Sequence, residues 1–236
     1  TKLKLDVNLT DSLTYTKLLF NDLGQLLLLI ILDVIPIVNL IVAGYLVNIV
    51  KQPKDSNQLP PLTNFVDLWI QGLKVTIAAI IFMIIPILLF IPAGSLFFLS
   101  GFGFPIVTGV STFLAIVLML VGLVLAFFLS IILSMGLVNM IKHDDFGKAF
   151  AFGEIMEIIR KIGWSDYILW VVAVFICAVI VAAVGRIPGI IGWLLSTAIA
   201  PMFGVFIARS AALTYMEGTE SSTSPPASEP IMPTDM

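Results

Sequence analysis

The chain reads as an all-α, polytopic transmembrane helical bundle of about five membrane segments with interfacial amphipathic helices, on three grounds. From Val75 to Ile141 it runs 67 residues without an Asp, Glu, Lys, Arg or His. An apolar helix of ~20 residues crosses the hydrocarbon core, so this run holds at least two crossings joined by a turn. Hydrophobic residues make up 59% of the 236 residues and charged ones only 11%, and the mean hydropathy of +1.11 is far above that of a soluble domain. The polar remainder is collected into a few short stretches, which leaves water-facing loops between apolar helices.

In chain order, residues 1–22 carry three lysines and three aspartates among apolar positions, and Leu13, Lys17, Leu18, Leu19 and Phe20 give an interfacial N-terminal segment rather than a secretory signal. The transmembrane domain occupies 23–216. Its first segment, 23–50, contains Asp33 and Pro36 near the middle, and the proline breaks the helix there because it lacks an amide donor. Asp33 then serves as N-cap of a second half-helix. The segment either crosses once or re-enters and returns at the break. KQPKDSNQLPPLTN, residues 51–64, is a polar, proline-rich loop. Asn64 is positioned as the N-cap of an interfacial ramp with Asp67 in its first turn and Phe65, Leu68, Trp69 and Leu73 along one face.

The second segment spans 73–96 with a kink at Pro86, and a glycine-aromatic turn follows up to Pro105. The third, 106–140, measures about 50 Å as a straight helix, so it tilts and projects from a ~30 Å core or breaks near Gly122 or Gly136. Residues 142–166 read as an amphipathic surface helix with Phe152, Ile155, Met156, Ile159 and Ile162 on the apolar side and Glu154, Glu157, Arg160 and Lys161 on the other. Segments 167–185 and 190–209 form a hairpin about Arg186, Pro188 and Gly189, with a bend at Pro201. The Ser/Thr/Pro-rich acidic tail, 217–236, buries too little apolar surface to order, so it is expected to be disordered.

Basic residues in short loops mark the cytoplasmic side. Loops 51–74 and 142–166 are therefore placed inside, together with the C-terminal tail, and the turns at 93–105 and at Arg186 outside. For segment 23–50 a single crossing puts 8 basic residues inside and 4 outside, whereas re-entry gives 11 and 1. Trp69, Trp164, Trp170 and Trp193 all fall near span ends, as an aromatic belt requires.

Few residues carry chemistry. Asp33 is an acid at membrane depth, which is either an ion or proton site or the cap of the broken helix. Asn39 follows the break, and Arg209 either pairs with Asp33 or extends to the interface; these three form the polar site of a transport reading. His143, Asp144 and Asp145 are metal-binding types, but three consecutive residues do not converge easily on one ion, and a solvated loop is the plainer account. GFGF at 101–104 lacks the basic residue and preceding strand of a phosphate cradle. The single Cys177 excludes an internal disulfide, and a single histidine excludes catalytic arrangements that need two. No cofactor and no nucleic-acid partner is indicated.

IPIVNLIVAGYLVNIV at 35–50, LPPLTNFVDLWIQGLKV at 59–75 and FGKAFAFGEIMEII at 146–159 resemble the domain-of-unknown-function 4013 family, a group of uncharacterised archaeal and bacterial membrane proteins. The resemblance covers most of residues 13–215 and implies a polytopic helical protein, with no activity transferred. This chain departs from the family in having Pro61, Leu62 and Thr63 where acids usually follow the Leu-Pro pair, and Asn48 where an arginine is common after Gly-Tyr. The expected function is a non-enzymatic accessory, scaffolding or lipid-interacting component of the cell membrane, with lipids, a protein partner or a second copy as partners. The alternative is a small transporter or channel that uses the broken first segment around Asp33.

Overall fold

The computed structural model describes residues 5–101 and 105–220, and among them every regular element is helical. Eight α-helices follow in order: α1 Leu5–Lys17, α2 Leu23–Val34, α3 Leu40–Lys51, α4 Phe65–Ser100, α5 Pro105–His143, α6 Phe152–Ile162, α7 Trp164–Val184 and α8 Ile190–Glu220. Short 3-10 turns at Leu18–Asn21 and Phe146–Phe150 precede α2 and α6.

Four helices are long and apolar enough to cross a membrane, over Phe65–Ser100, Gly109–His143, Trp164–Val184 and Ile190–Thr219. In each, only 11% to 17% of the most apolar window is buried by the rest of the chain. Ile84, Leu88, Phe113, Leu120, Phe175 and Ile180 all face outward, and so much contiguous exposed hydrocarbon is stable only against lipid. The protein is an integral membrane protein.

The first apolar segment folds back on itself as a helical hairpin. Gln25, at the start of α2, donates through Nε2 to the Tyr45 hydroxyl in the middle of α3 at 2.7 Å and to the Pro60 carbonyl at 2.9 Å. A single crossing would separate residues 25 and 45 by about 30 Å along the axis, beyond the reach of two side chains. Each arm has 12 residues, about 18 Å, so neither spans the bilayer alone.

The turn follows from Pro36. Its ring pushes Ile35 into extended backbone, φ −88 and ψ 115, which ends α2. Ile37 then takes φ 73, a left-handed conformation that a β-branched side chain adopts only at a cost of about 1–3 kcal/mol. The Trp69 indole, donating to the Ile37 carbonyl at 2.9 Å, clamps it in place, and the Asn39 amide closes the turn on the Ile35 carbonyl at 3.0 Å. Asp33 is therefore in the last turn of α2 and not the N-cap of the second half-helix. That position belongs to Asn39, whose side chain makes no capping bond.

Two long hairpins project from this wedge. Helices α4 and α5, of 36 and 39 residues, pack on each other and measure about 54 and 58 Å. The interfacial ramp and the second segment are thus one helix from Phe65, with Pro86 and Pro92 inside it. Asn64 does occupy its N-cap position, but in a left-handed conformation without a side-chain bond. Helix α5 passes through Gly122 and Gly136 unbroken. Helices α7 and α8 form the second hairpin, and α8 continues to Glu220, so residues 217–220 are helical where a disordered tail was expected; the rest of that tail and residues 102–104 of the GFGF turn lie outside the described residues.

Residues 142–166 are not one surface helix. Asp144, at φ 55, ends α5, the Asp145 carboxylate caps the following turn by accepting from the Gly147 amide at 2.8 Å, and Gly163 at φ 100 separates α6 from α7. The buried stripe of α6 is Ile155, Ile158, Ile159 and Ile162, with Phe152 exposed. It lies against α8, where a Cβ on Gly218 would meet Ile162 and Ile158.

Candidate functional site

The polar side chains converge at one end of the molecule. This polar pole is built from α1, the loop 52–64, the α5–α6 connection and the C-terminal half of α8. Lys51 pairs with Asp144 at 3.0 Å, and the Lys142 ammonium donates to the Gln52 carbonyl at 3.3 Å.

Arg209 is its centre, with 1% of its surface exposed. Nε donates to Asp11 Oδ1 at 3.0 Å, Nη1 to the Pro53 carbonyl at 3.1 Å and Nη2 to the Lys54 carbonyl. The guanidinium also lies over the Tyr15 ring, 4.8 Å from its centroid. The Tyr15 hydroxyl reaches Gln52 Oε1 and, at 3.1 Å, the Gln58 carbonyl. Burial pushes this hydroxyl up to about 12, against the opposing pull of Arg209, so it remains protonated at neutral pH. One arginine thereby joins α1, the loop and α8.

A second network lies next to it. Asn8 donates to the Ser210 carbonyl at 3.2 Å and to Thr214 Oγ1 at 3.0 Å, Ser210 returns a bond to Asn8 Oδ1 at 2.6 Å, and the Trp170 indole donates to Ser210 Oγ at 2.8 Å. In a third, Asn139 donates to the Lys148 carbonyl at 3.0 Å and to Glu154 at 3.3 Å, and accepts from the Tyr215 hydroxyl at 2.8 Å. Within these networks the buried donors and acceptors are matched, as a low-dielectric interior requires.

Glu154 also pairs with Lys148 at 2.5 Å. The hydrogen bond from Lys148, and then the one from Asn139, hold its carboxyl below the ordinary glutamate value. A depressed folded-state value contributes stability above the unfolded value and loses it as pH falls through the folded one. Acidification below about pH 4.3, the ordinary glutamate value, is expected to lower the melting temperature of the wild type more than that of Glu154→Gln. Parallel pH profiles would refute this role.

The three residues of the transport reading do not meet. Arg209 pairs with Asp11, not with Asp33. Asp33 and Asn39 lie toward the turn of the α2–α3 hairpin, Asp33 half-buried and Asn39 exposed, while Arg209 is at its open end beside Pro53. His143, Asp144 and Asp145 also diverge: His143 Nδ1 is 2.9 Å from the Asn139 carbonyl, Asp144 meets Lys51, and Asp145 caps the next turn. Among the described residues no three side chains of metal-binding type cluster.

Sequence reading placed an interfacial segment at residues 1–22 but missed the buried face of α1. Its buried face is Asn8, Ser12, Tyr15 and Thr16, followed by Leu19, whereas Leu13 is exposed. These positions keep helical spacing, so the stripe was legible as a polar one.

Below the pole, an apolar cavity of about 500 Å³ opens between the two long hairpins, with Leu46, Leu137, Trp170, Val174, Ala178 and Gly204 in its walls. A shallower apolar cleft of about 630 Å³ lies between Ile31 and Ile35 of α2 and Trp193 and Leu194 of α8.

No curated protein and no solved structure matches this chain. A family model does, over residues 27–196, from α2 into the first turns of α8. Because that match covers well over half of the sequence, including α3 to α7 in full, the chain belongs to the family described as Protein of unknown function (DUF4013).

Proposed function

We propose that this protein is a non-enzymatic accessory or scaffolding component of the cell membrane that holds lipid or partner hydrocarbon between its two long hairpins. The carrying observation is the division of labour in the fold. The buried polar groups of the pole are bonded to one another across helices, while the faces left open are hydrocarbon. A solute pathway needs ionisable or carbonyl groups that remain available along its length, and Arg209, Asn8, Ser210 and Asn139 are already engaged with other helices or the 52–64 loop.

The polar pole is assigned to the cytoplasmic face, and the C-terminal tail with it. Lys17, Lys51, Lys54, Lys142, Lys148, Arg160, Lys161 and Arg209 all belong to the pole or its flanks, and Arg186 lies at the α7–α8 turn. That asymmetry follows the retention of basic loops inside. In a Cys177→Ala background, Arg186→Cys is expected to react with an impermeant maleimide on intact cells and Ser56→Cys only after lysis. The opposite pattern would reverse the orientation.

A transport reading keeps one supporting observation: Asp33 is half-buried in an apolar helix, and among the described residues none donates a hydrogen bond to its carboxylate. The discriminating experiment is flux in proteoliposomes. Flux abolished by Asp33→Asn replaces the accessory reading with a transporter, whereas a constant lipid or protein companion after mild-detergent purification, with no flux, supports it.

A further inference from the structure

We infer that the α2–α3 hairpin is operated by a proton: Asp33 holds one while the end of α2 is seated against α8, and ionising it unseats that end while α3 stays in place. This goes beyond the accessory reading and does not depend on it, since no solute has to move.

Helix α2 turns Leu26 and Leu29 inward, and Asp33 continues that stripe at helical spacing, half-buried. Around it Ile31, Val34, Ile35 and Ile37 are exposed and apolar. The open side of the carboxyl therefore faces hydrocarbon, where its charged form has no water to solvate it. Asp33 is also the penultimate residue of α2, at the negative end of the helix dipole, which further disfavours a carboxylate. Pro36 has no amide to offer the Leu32 carbonyl, so this helix end is rich in acceptors and suits a carboxyl that keeps its O–H.

No counter-charge offsets these terms. Helix α2 packs against α8, α3 and the turn Leu18–Asn21. From Ile190 to Ala208, α8 carries no ionisable side chain, and Arg209 beyond them is bonded to Asp11. Helix α3 offers Tyr45, whose hydroxyl accepts from Gln25, and Lys51, which pairs with Asp144. Lys17 precedes the turn Leu18–Asn21, and Asp22 after it caps α2 through the Gln25 amide. On α4, which holds the hairpin turn through Trp69, Asp67 accepts from Gln71 and Lys74 lies beside Asp144 and Asp145. None of these charges acts on the Asp33 carboxyl.

The hinge lies in the turn. The left-handed backbone of Ile37 is kept by one indole bond from Trp69, whereas α3 is locked to α4 where Gly44 and Gly72 let the two backbones meet. The end of α2 meets α8 across the apolar cleft between Ile31, Ile35, Trp193 and Leu194. That contact is the looser of the two, so a charge on Asp33 opens it before the α3–α4 seam.

The test uses the full chain in phosphatidylcholine nanodiscs, with two readouts. Infrared spectroscopy at neutral pH is expected to show the carbonyl band of a protonated carboxylic acid that Asp33→Asn removes and Asp67→Asn leaves. The seated form holds the extra proton, so its stability is present in acid and lost as pH rises. Hydrogen exchange, corrected for the intrinsic effect of pH on the chemistry, should therefore quicken at residues 29–38 by up to about tenfold per pH unit above the ordinary aspartate value of about 3.9, levelling off past the value of the seated carboxyl. Residues 40–51 and 65–75 should keep their protection, and Asp33→Asn should give a flat profile. An Asp33 ionised at neutral pH, an equal pH response in Asp33→Asn, or protection lost equally over α3 would each overturn the proposal. So would a flat wild-type profile, which needs no variant and decides the matter if Asp33→Asn fails to fold. Neither readout involves flux or a co-purifying companion, so the accessory reading stands or falls separately.

Discussion

Gly44→Ala and Gly72→Ala are each expected to lower the melting temperature in detergent by on the order of 10 °C, whereas Gly94→Ala leaves it unchanged or slightly raises it. A Cβ on Gly44 would lie 1.8 Å from the Leu68 carbonyl oxygen, and one on Gly72 would lie 1.9 Å from the Leu40 carbonyl oxygen and 2.8 Å from the Gly44 amide nitrogen. These are backbone atoms, so no rotamer change relieves the clash. Helices α3 and α4 must separate along their shared face. In a membrane, close approach through small residues supplies much of what holds helices together, because lipid offers no hydrophobic penalty for parting. An overpacking cost of about 3 kcal/mol corresponds to roughly 10 °C for a chain of this size. At Gly94 an added Cβ meets nothing within 4 Å, and alanine is the better helix former. Equal melting temperatures for Gly44→Ala and Gly94→Ala would show that the α3–α4 contact is dispensable.

The same glycines show what the sequence made legible and what it did not. The uncharged run from Val75 placed two spans in lipid with no ambiguity, since no other environment accommodates it. For segment 106–140 the sequence left open a tilted, projecting helix or a break near Gly122 or Gly136; the helix is intact through both glycines. A Cβ on Gly136 would come 2.6 Å from the Ala149 carbonyl oxygen, and one on Gly122 would come 2.9 Å from the Phe90 ring. In hydrocarbon a broken backbone bond has no water to turn to, so the helix persists and glycine becomes a packing surface. Pro36 did break its helix because the freed groups are met locally, by the Asn39 amide and the Trp69 indole. Whether that break led across or back depended on Gln25 meeting Tyr45, a contact 20 residues apart that no local pattern specifies. Arg209 was visible as a cation near a span end, but its partners Asp11, Pro53 and Lys54 are more than 150 residues away in the chain. The search for an acid in the membrane therefore pointed to Asp33, when the pairing acid was in the N-terminal helix.

Arg209→Met should release that N-terminal helix. The methionine keeps much of the side chain's apolar volume but leaves the Pro53 and Lys54 carbonyls without their donor and Asp11 without its cation. Each lost bond to a charged group costs about 1.5–3 kcal/mol, and Asp11, with 42% of its side chain exposed, recovers part of its share from water. A net loss of about 3 kcal/mol follows. The damage should be local, because α1 is attached to the rest chiefly through α8: the Asn8 network depends on α1 staying seated against Ser210 and Thr214, and the Tyr15 hydroxyl on its staying beside the loop. Hydrogen exchange is the measurement that separates release from global unfolding. Residues 5–21 and 52–60 are expected to lose protection in Arg209→Met while α4, α5 and α7 keep theirs. Arg209→Lys should recover only part of the effect, since an ammonium has no planar fork to reach Asp11 and two carbonyls together. Asp11→Asn tests the pair from the other side: it leaves the guanidinium, 1% exposed, with two carbonyls and the Tyr15 ring but no counter-charge, and a buried cation in that position destabilises more than its exposed partner does when left alone. A protection map for Arg209→Met identical to the wild type would mean that α1 is held by the Asn8 network alone and that the arginine is a passenger in it.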